Sequence, residues 1–232
     1  MLIDAHIHTS GISRCSRRSS LEIIAQCMVD KIDGFVLTNH CDISYTKECG
    51  WEEWCKRYNE EFYFTKAAGE QYNIKVFYGI EVETTEVKAV HYVIYGMTPE
   101  DLLKAPELYH LKQKELFEYC VANNFALVQA HPYRNGCVPQ NPAYLHGVEV
   151  SCHPLYRTTM SEHVFAFAKE HGLFVTCGSD FHGDTYKPRC GVYIPENIKT
   201  EREFKEYLCK DQPKLEIMEI VNTEYGPYHS WR

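Results

Sequence analysis

Met1-Leu-Ile-Asp-Ala-His-Ile-His8 is an apolar stretch that ends in His-x-His. Strand side chains alternate faces, so His6 and His8 point the same way, and at the mouth of a barrel that shared direction is inward. Asp4 falls on the same face, where a carboxylate can hold an imidazole N–H and fix which ring nitrogen meets a metal. Alone, the pair reads equally well as a hairpin with two half-exposed histidines. The rest of the chain decides between these.

The next segment, Thr9 to Ser20, is a polar loop that closes on a helix start, with Ser19 or Ser20 as N-cap before Leu21-Glu-Ile-Ile-Ala-Gln-Cys-Met. Gly34-Phe-Val-Leu-Thr38 is a short continuous apolar run, the pattern of a strand buried on both faces, and it runs into Asn39-His40. Trp51 to Tyr72 is helical, with Trp51, Trp54, Tyr58 and Phe62 spaced as a packing face. Lys75 to Glu83 is a third strand that carries Glu81, and a hairpin through Thr84 to Lys88 leads to Ala89–Tyr95 and His91. A helix from Pro106 to Asn123 precedes Ala126-Leu-Val-Gln-Ala-His131-Pro, where the proline stops the ladder. Gly147–Val150, a helix from Met160 to His171, the stretch Leu173 to His182, a helix from Thr200 to Cys209 and a strand from Leu215 to Ile220 complete the series.

Leu2, Phe35, Val76, Leu127, Val148, Phe174 and Glu216 mark seven βα repeats. Strands that alternate with helices call for a parallel sheet with right-handed crossovers, so the expected fold is α/β, one closed or nearly closed barrel over residues 1–232 as a single domain. Functional groups of such barrels gather at the C-terminal strand ends. His6, His8, His40, Glu81, His131, Asp180 and His182 all fall there, and His91 joins them from the hairpin. Seven such groups at one end are hard to explain as packing. Imidazole with carboxylate suits Zn, Mn or Fe, and the lack of a CxxC-type cluster argues against a closed structural zinc site.

Composition narrows the partners. With 44% apolar and 24% charged residues the chain is an ordinary globular one, and no run approaches a membrane span or a leader peptide. The formal charge of −8, without a basic stripe, weighs against nucleic acid. Eleven cysteines without a framework point to reduced thiols and a cytoplasmic protein, with Cys120, Cys177 and Cys209 read as small buried hydrophobes.

The ordered set His6-x-His8, Thr38-Asn-His40, Gly79-x-Glu81, His91, Ala130-His-Pro132 and Gly178-Ser-Asp-Phe-His182 resembles the motifs of the PHP family, named for polymerase and histidinol phosphatase. The resemblance implies a distorted (β/α)7 TIM-like barrel, two or three divalent ions and phosphoesterase chemistry. It implies one metal on His6, His8, Glu81 and Asp180, a second on Glu81, His91 and His131, and a third on His40, His182 and a group from the loop after the first strand. Two positions depart from the family pattern. Asn39 stands where the family commonly has Asp, and the loop reads Ser13-Arg-Cys-Ser16, which offers Cys15 as a thiolate ligand.

The expected reaction is hydrolysis of a small phosphate ester by a hydroxide that bridges two metals, with Glu81 and Asp180 central to it. Arg134 is placed to fork onto phosphate oxygens. Arg157 and His153 are further candidates for substrate contact. Glu149 reads as a hydrogen-bonding group of the barrel interior rather than a ligand. Alternatives are a phosphatase specific for histidinol phosphate, a metal-dependent hydrolase of the amidohydrolase type, which also starts from His-x-His, and a non-catalytic barrel module.

Overall fold

A computed structural model describes residues 1–134, 137–153, 160–183 and 187–218. Its strands are β1 (Leu2–Ile7), β2 (Gly34–Leu37), β3 (His40–Cys41), β4 (Lys75–Glu83), β5 (His91–Tyr95), β6 (Ala126–Gln129), β7 (Gly147–Ser151), β8 (Phe174–Gly178), β9 (Gly191–Tyr193) and β10 (Leu215–Glu216). The helices are α1 (Ser20–Asp30), α2 (Ile43–Thr46), α3 (Trp51–Gln71), α4 (Pro99–Leu102), α5 (Gln113–Ala122), α6 (Ser161–His171) and α7 (Glu201–Asp211). The sheet runs β10-β9-β1-β2-β4-β5-β6-β7-β8, with β3 paired to β4. Its ends meet where the Asp180 amide donates to the His6 carbonyl at 2.9 Å and Phe181 bridges to Ile7. The result is an α/β barrel, distorted as the family resemblance implied.

The sheet is mixed rather than wholly parallel. β5 runs antiparallel to both β4 and β6, and β9 runs antiparallel to β1. A short turn cannot make a crossover, so the hairpin after Glu83 reverses the chain and inserts β5 between two strands that would otherwise be parallel neighbours. The marker at Glu216 is correspondingly no βα repeat. It lies in a two-residue strand antiparallel to β9.

Local signals explain most element boundaries. Ser19 caps α1 with a full capping box, its hydroxyl engaging the Glu22 amide while the Glu22 carboxylate accepts from the Ser19 amide at 2.9 Å. Thr200 does the same for α7 through Glu203. The helix expected from Pro106 begins instead at Gln113. Glu115 accepts the Lys112 amide at 2.9 Å, which sets the start there, and Leu108–His110 forms only a 3-10 turn.

Two cores result, one inside the barrel and one under the helices. Ile3, Ala5, Val36, Phe77, Val93, Tyr95, Val128 and Phe174 fill the barrel. Trp54, Tyr58 and Phe62 of α3 pack outside it, and the Tyr58 hydroxyl donates to the Gly79 carbonyl at 2.6 Å. Cys120 and Cys177 are buried, but Cys209 is exposed. It follows Leu208, whose side chain with that of Phe204 holds the inward face of α7, so the next residue turns away.

A buried ion pair ties the first strand to the last turn of the barrel. The Lys187 ammonium reaches Asp4 at 2.6 Å, both fully buried, and Asp4 also accepts from the Ser179 amide and hydroxyl at 2.9 and 2.6 Å. Removing one partner strands a buried charge, which costs about 3–5 kcal/mol. Lys187→Met should therefore lower the denaturant midpoint sharply, and Asp4→Asn in the same chain should recover much of the loss. Equal stability of Lys187→Met and the unaltered protein in urea titrations would contradict this account.

Candidate metal centre

Glu81 stands at the middle of the strand-end cluster, fully buried on β4. Its Oε1 lies 3.0 Å from His91 Nδ1 and 3.2 Å from His131 Nε2, and its Oε2 lies 2.7 Å from His40 Nδ1. His6 and His8 approach the same carboxylate at 3.4 Å each. Asp180 faces it, with Oδ1 3.1 Å from His8 Nε2 and 3.4 Å from His6 Nε2. Donor atoms of His6, His8, Glu81 and Asp180 all lie within 4.8 Å of one another, as do those of His40, Glu81 and His91, and those of His8, His40 and His182.

The hydrogen bonds around these rings fix their tautomers, and the tautomers create a conflict. The Thr9 amide donates to Asn39 Oδ1 at 2.7 Å, so that oxygen is an acceptor and the Ser13 hydroxyl must donate to it at 2.8 Å. Ser13 Oγ is then the acceptor for His8 Nδ1 at 3.2 Å, which leaves a lone pair on His8 Nε2. His6 Nδ1 donates to Glu149 at 2.9 Å, which leaves a lone pair on His6 Nε2 as well. The two Nε2 atoms are 2.9 Å apart. A second pair repeats the arrangement. His182 Nδ1 donates to the Asp180 carbonyl at 2.8 Å, His40 Nδ1 faces Glu81, and their Nε2 atoms meet at 3.3 Å.

Lone pairs that confront each other beside two carboxylates need positive charge between them. Glu81 Oε2 and Asp180 Oδ1 are buried without a well-formed hydrogen bond of their own. This donor set of imidazole nitrogens and carboxylate oxygens fits divalent transition-metal ions. Protons take that role when no ion is bound. Burial lowers the His6 pKa, but Glu149, Glu81 and Asp180 outweigh it and raise the ring well above its usual value. His8 goes the other way, lowered by burial and by the neighbouring His182 and His40. His40 is raised to about 10, its burial overcome by Glu81.

The backbone aims the carboxylate and imidazole at the strand exits. His131 and Asp180 both have left-handed φ, 34° and 49°. Such conformations cost of order 1–3 kcal/mol at non-glycine residues and cluster at functional sites. Gly178 is required by a close approach, since a Cβ there would run into the Cβ of His6.

The assignments read from sequence fall in three groups. His6, His8, His40, Glu81, His91, His131, Asp180 and His182 are brought together. Cys15 stands exposed at the rim, 3.6 Å from the Tyr45 hydroxyl, and belongs to none of the compact donor groups. Its thiol nevertheless sits beside two of their members: burial pushes its pKa up, and hydrogen bonds with His182 and His40 bring it down to about 5. Arg134 donates to Asp180 Oδ2, which puts its guanidinium in the pocket, and buried His153 joins Asp180 and His182 in a further group. Arg157 lies outside the described residues.

Asp4 does not hold an imidazole. Glu149 does, and it also accepts the His131 amide at 3.2 Å. The reason is competition, because Lys187 and Ser179 saturate the Asp4 carboxylate first. Neither Lys187 nor the Ser13–Asn39 relay announces itself in sequence. Asn39 is the one signal, since an amide can accept from Thr9 and Ser13 while donating to the Thr9 hydroxyl at 2.9 Å, which a carboxylate cannot.

No protein-family model matches the chain, and no match is found among curated proteins. Solved structures do match. A two-domain protein from Bacteroides vulgatus that contains a predicted PHP-like metal-dependent phosphoesterase superposes with a TM-score of 0.68 at 15% identity over 94% of this chain. This chain spans 64% of that protein's length. PsfC from Pseudomonas syringae superposes with a TM-score of 0.67 at 18% identity, covering 94% of this chain and 91% of PsfC. An amidohydrolase from Chromobacterium violaceum, solved with bound sulfate and no metal, gives 0.56 at 17% identity over 89% and 96% of the two chains. The likeness establishes that this chain shares the barrel fold of these proteins.

Outer groups that orient metal-bound histidines are worth roughly 10–100-fold in affinity. Ser13→Ala should weaken binding of the first ion by a factor of that order, read by competition with a chromogenic chelator, while circular dichroism stays unchanged. The low Cys15 pKa gives a second test. In metal-free protein the thiolate should persist as pH falls until about 5, so iodoacetamide should modify Cys15 at pH 6 far faster than an ordinary thiol. Peptide mapping that finds Cys15 inert at pH 6 would remove the thiolate.

Proposed function

We propose that this chain is a metal-dependent hydrolase that cleaves small phosphate monoesters, working as a single barrel domain. The observation that carries the reading is the buried convergence of imidazole and carboxylate acceptor atoms on Glu81 and Asp180, with a guanidinium at their edge. His6, His8, Glu81 and Asp180 would hold one ion, and Glu81, His91 and His131 a second. His40, His182 and Cys15 would hold a third, the thiolate favouring zinc there. Two or three divalent ions of Zn, Mn or Fe suit this set. When bound, they supply Lewis acidity, activating water near neutral pH and drawing charge from the phosphoryl oxygens.

The chain's own residues divide the remaining work. Glu81 shares its two oxygens among the rings of both inner sites and sets their spacing. Glu149 and Ser13 hold His6 and His8 in the tautomers that present Nε2 inward. Arg134 binds the phosphoryl group through a planar pair of donors once Asp180 is engaged by an ion. His153 is held neutral, its pKa lowered to about 3 chiefly by burial. That suits a hydrogen bond to substrate better than delivery of a proton to the leaving group.

A small anion fits a protein with a formal charge of −8, because the ions reverse the field inside the pocket while the surface repels long polyanions. Free thiols at all eleven cysteines fit a reducing compartment such as the cytoplasm. Among the described residues no helix is long and apolar enough to cross a membrane.

A panel of phosphomonoesters, histidinol phosphate included, assayed with Mn and Zn supplied separately, tests the reading. Amide and lactone substrates form the other arm, since the Chromobacterium violaceum likeness keeps amidohydrolase chemistry in view. Turnover of those alone would replace the phosphatase reading. Elemental analysis after reconstitution should return more than one metal equivalent per chain. One equivalent or fewer would argue for a mononuclear site.

Within the phosphatase reading, Glu81→Gln should abolish turnover more completely than His40→Ala at saturating metal, because Glu81 serves both inner ions. Equal losses would mean the third site is as necessary as the other two. Arg134→Ala should lower kcat/KM by roughly ten- to hundredfold, the worth of a charge-assisted hydrogen bond, without changing metal content. Lysine should restore only part of that loss.

A further inference from the structure

Apart from the strand-end centre, the described residues hold one compact group of soft donors. Cys152 follows β7, Cys177 lies in β8 and Cys190 precedes β9, so three separate segments each deliver one thiol. Their sulfurs lie within 4.8 Å of one another, all three residues are fully buried, and Cys152 Sγ and Cys177 Sγ are 3.7 Å apart. In β8 the side chains alternate. Gly178 faces His6, so Cys177 points to the opposite face of the sheet, away from the histidines.

Buried single cysteines are ordinary small hydrophobes, and Cys27, Cys41 and Cys120 are of that kind. The trio differs because polar groups are aimed at it. The Cys152 and Cys177 sulfurs are in hydrogen-bond contact, and Cys177 donates its proton to the Glu216 carbonyl at 3.3 Å, so the bond between the two sulfurs is donated by Cys152. The Lys187 ammonium lies close enough to Cys190 to interact with it from the neighbouring ion pair with Asp4. Burial holds the Cys177 and Cys190 thiols well above their usual pKa, so they stay protonated until an ion displaces their protons. Purely apolar packing calls for neither a carbonyl nor an ammonium beside the sulfurs.

The spacing also suits a metal. Four sulfurs around one ion at bonds of about 2.3 Å stand about 3.8 Å apart, and a three-sulfur shell is only slightly wider. Thiolates select Zn and Cu(I) among the common ions. We propose that Cys152, Cys177 and Cys190 form a second, structural metal site for one thiophilic closed-shell ion, zinc or copper(I), separate from the strand-end centre. The Glu216 carbonyl oxygen is the available fourth donor for zinc, and copper(I) needs only the three sulfurs. Binding releases the thiol protons to solvent, with no change of oxidation state.

Such an ion would clamp the ends of β7 and β8 to the segment that enters β9, where the barrel is finished by short antiparallel pairings. Access would come through β10, whose two residues pair, among the described residues, with β9 alone and cover Cys177. Opening so short an edge is a low-cost local fluctuation.

The test uses the full chain carrying Cys15→Ser and Cys137→Ser, which removes the two thiols beside the histidine centre, Cys137 lying 3.7 Å from His131 Nδ1. Metal-free, reduced protein is titrated with Co(II), and a thiolate-to-cobalt charge-transfer band in the near ultraviolet is expected; Zn(II) and Cu(I) added separately should bleach it, and the more effective of the two identifies the preferred ion. Adding Cys190→Ser should remove most of the band while weaker visible bands from the histidine centre persist. A band that survives Cys190→Ser intact, or no band at any loading, would overturn the proposal, as would mass spectrometry showing a disulfide between Cys152 and Cys177 in protein that takes up no thiolate-bound metal. Should Cys190→Ser fail to fold, cadmium NMR of the protein carrying Cys15→Ser and Cys137→Ser decides the matter, with a resonance in the thiolate-rich range expected and its absence ruling out the site. None of these readouts depends on phosphatase activity.

Discussion

Two imidazole nitrogens 2.9 Å apart, each with a lone pair aimed at the other in the neutral tautomers, repel unless a proton or a cation stands between them, and the surrounding architecture holds that contact. Glu149 on β7 fixes one ring and Ser13 in the loop after β1 fixes the other. Asn39 at the end of β2 fixes Ser13, and the Thr9 amide fixes Asn39. Every member of that relay is buried, so none can turn to water for relief. A site arranged in this way is satisfied only by positive charge, a proton on His6 or a bound cation, so its stability and its affinity for cations are two readings of one free energy.

The barrel was legible from sequence because buried parallel strands leave continuous apolar runs and their ends are punctuated by histidine, proline and glycine. Phe35, Val76, Leu127, Val148 and Phe174 each fall in the strand expected of them. Direction was legible at one edge and not at the other. The short turn through Thr84 to Lys88 reads as a hairpin and gives His91–Tyr95 its antiparallel course, as the sheet shows. Glu216 has no such signal, because pairing partner rather than composition decides its place.

The donors of the centre were equally plain, since ordered His, Glu and Asp at strand ends leave few other uses for themselves. Their supports were not. Asp4 is the nearest carboxylate to His6 in sequence, yet Lys187, more than 180 residues later, claims it. Glu149 takes the vacated role from across the barrel. Such exchanges depend on which long-range partner is desolvated beside which carboxylate, and a single sequence carries no trace of that. Cys209 illustrates the same limit on a helix, where one residue's difference in phase turns a thiol from core to surface.

The reversed strand β5 gives the centre an unequal construction. His6, His8, Glu81, His131 and Asp180 rise from the barrel wall, whereas His91 opens a hairpin strand fed by a turn that crosses no core. His91 is paired with Glu83 at the mouth of that hairpin, so a change in the length of the exposed turn acts on one donor of the cluster before it reaches any other.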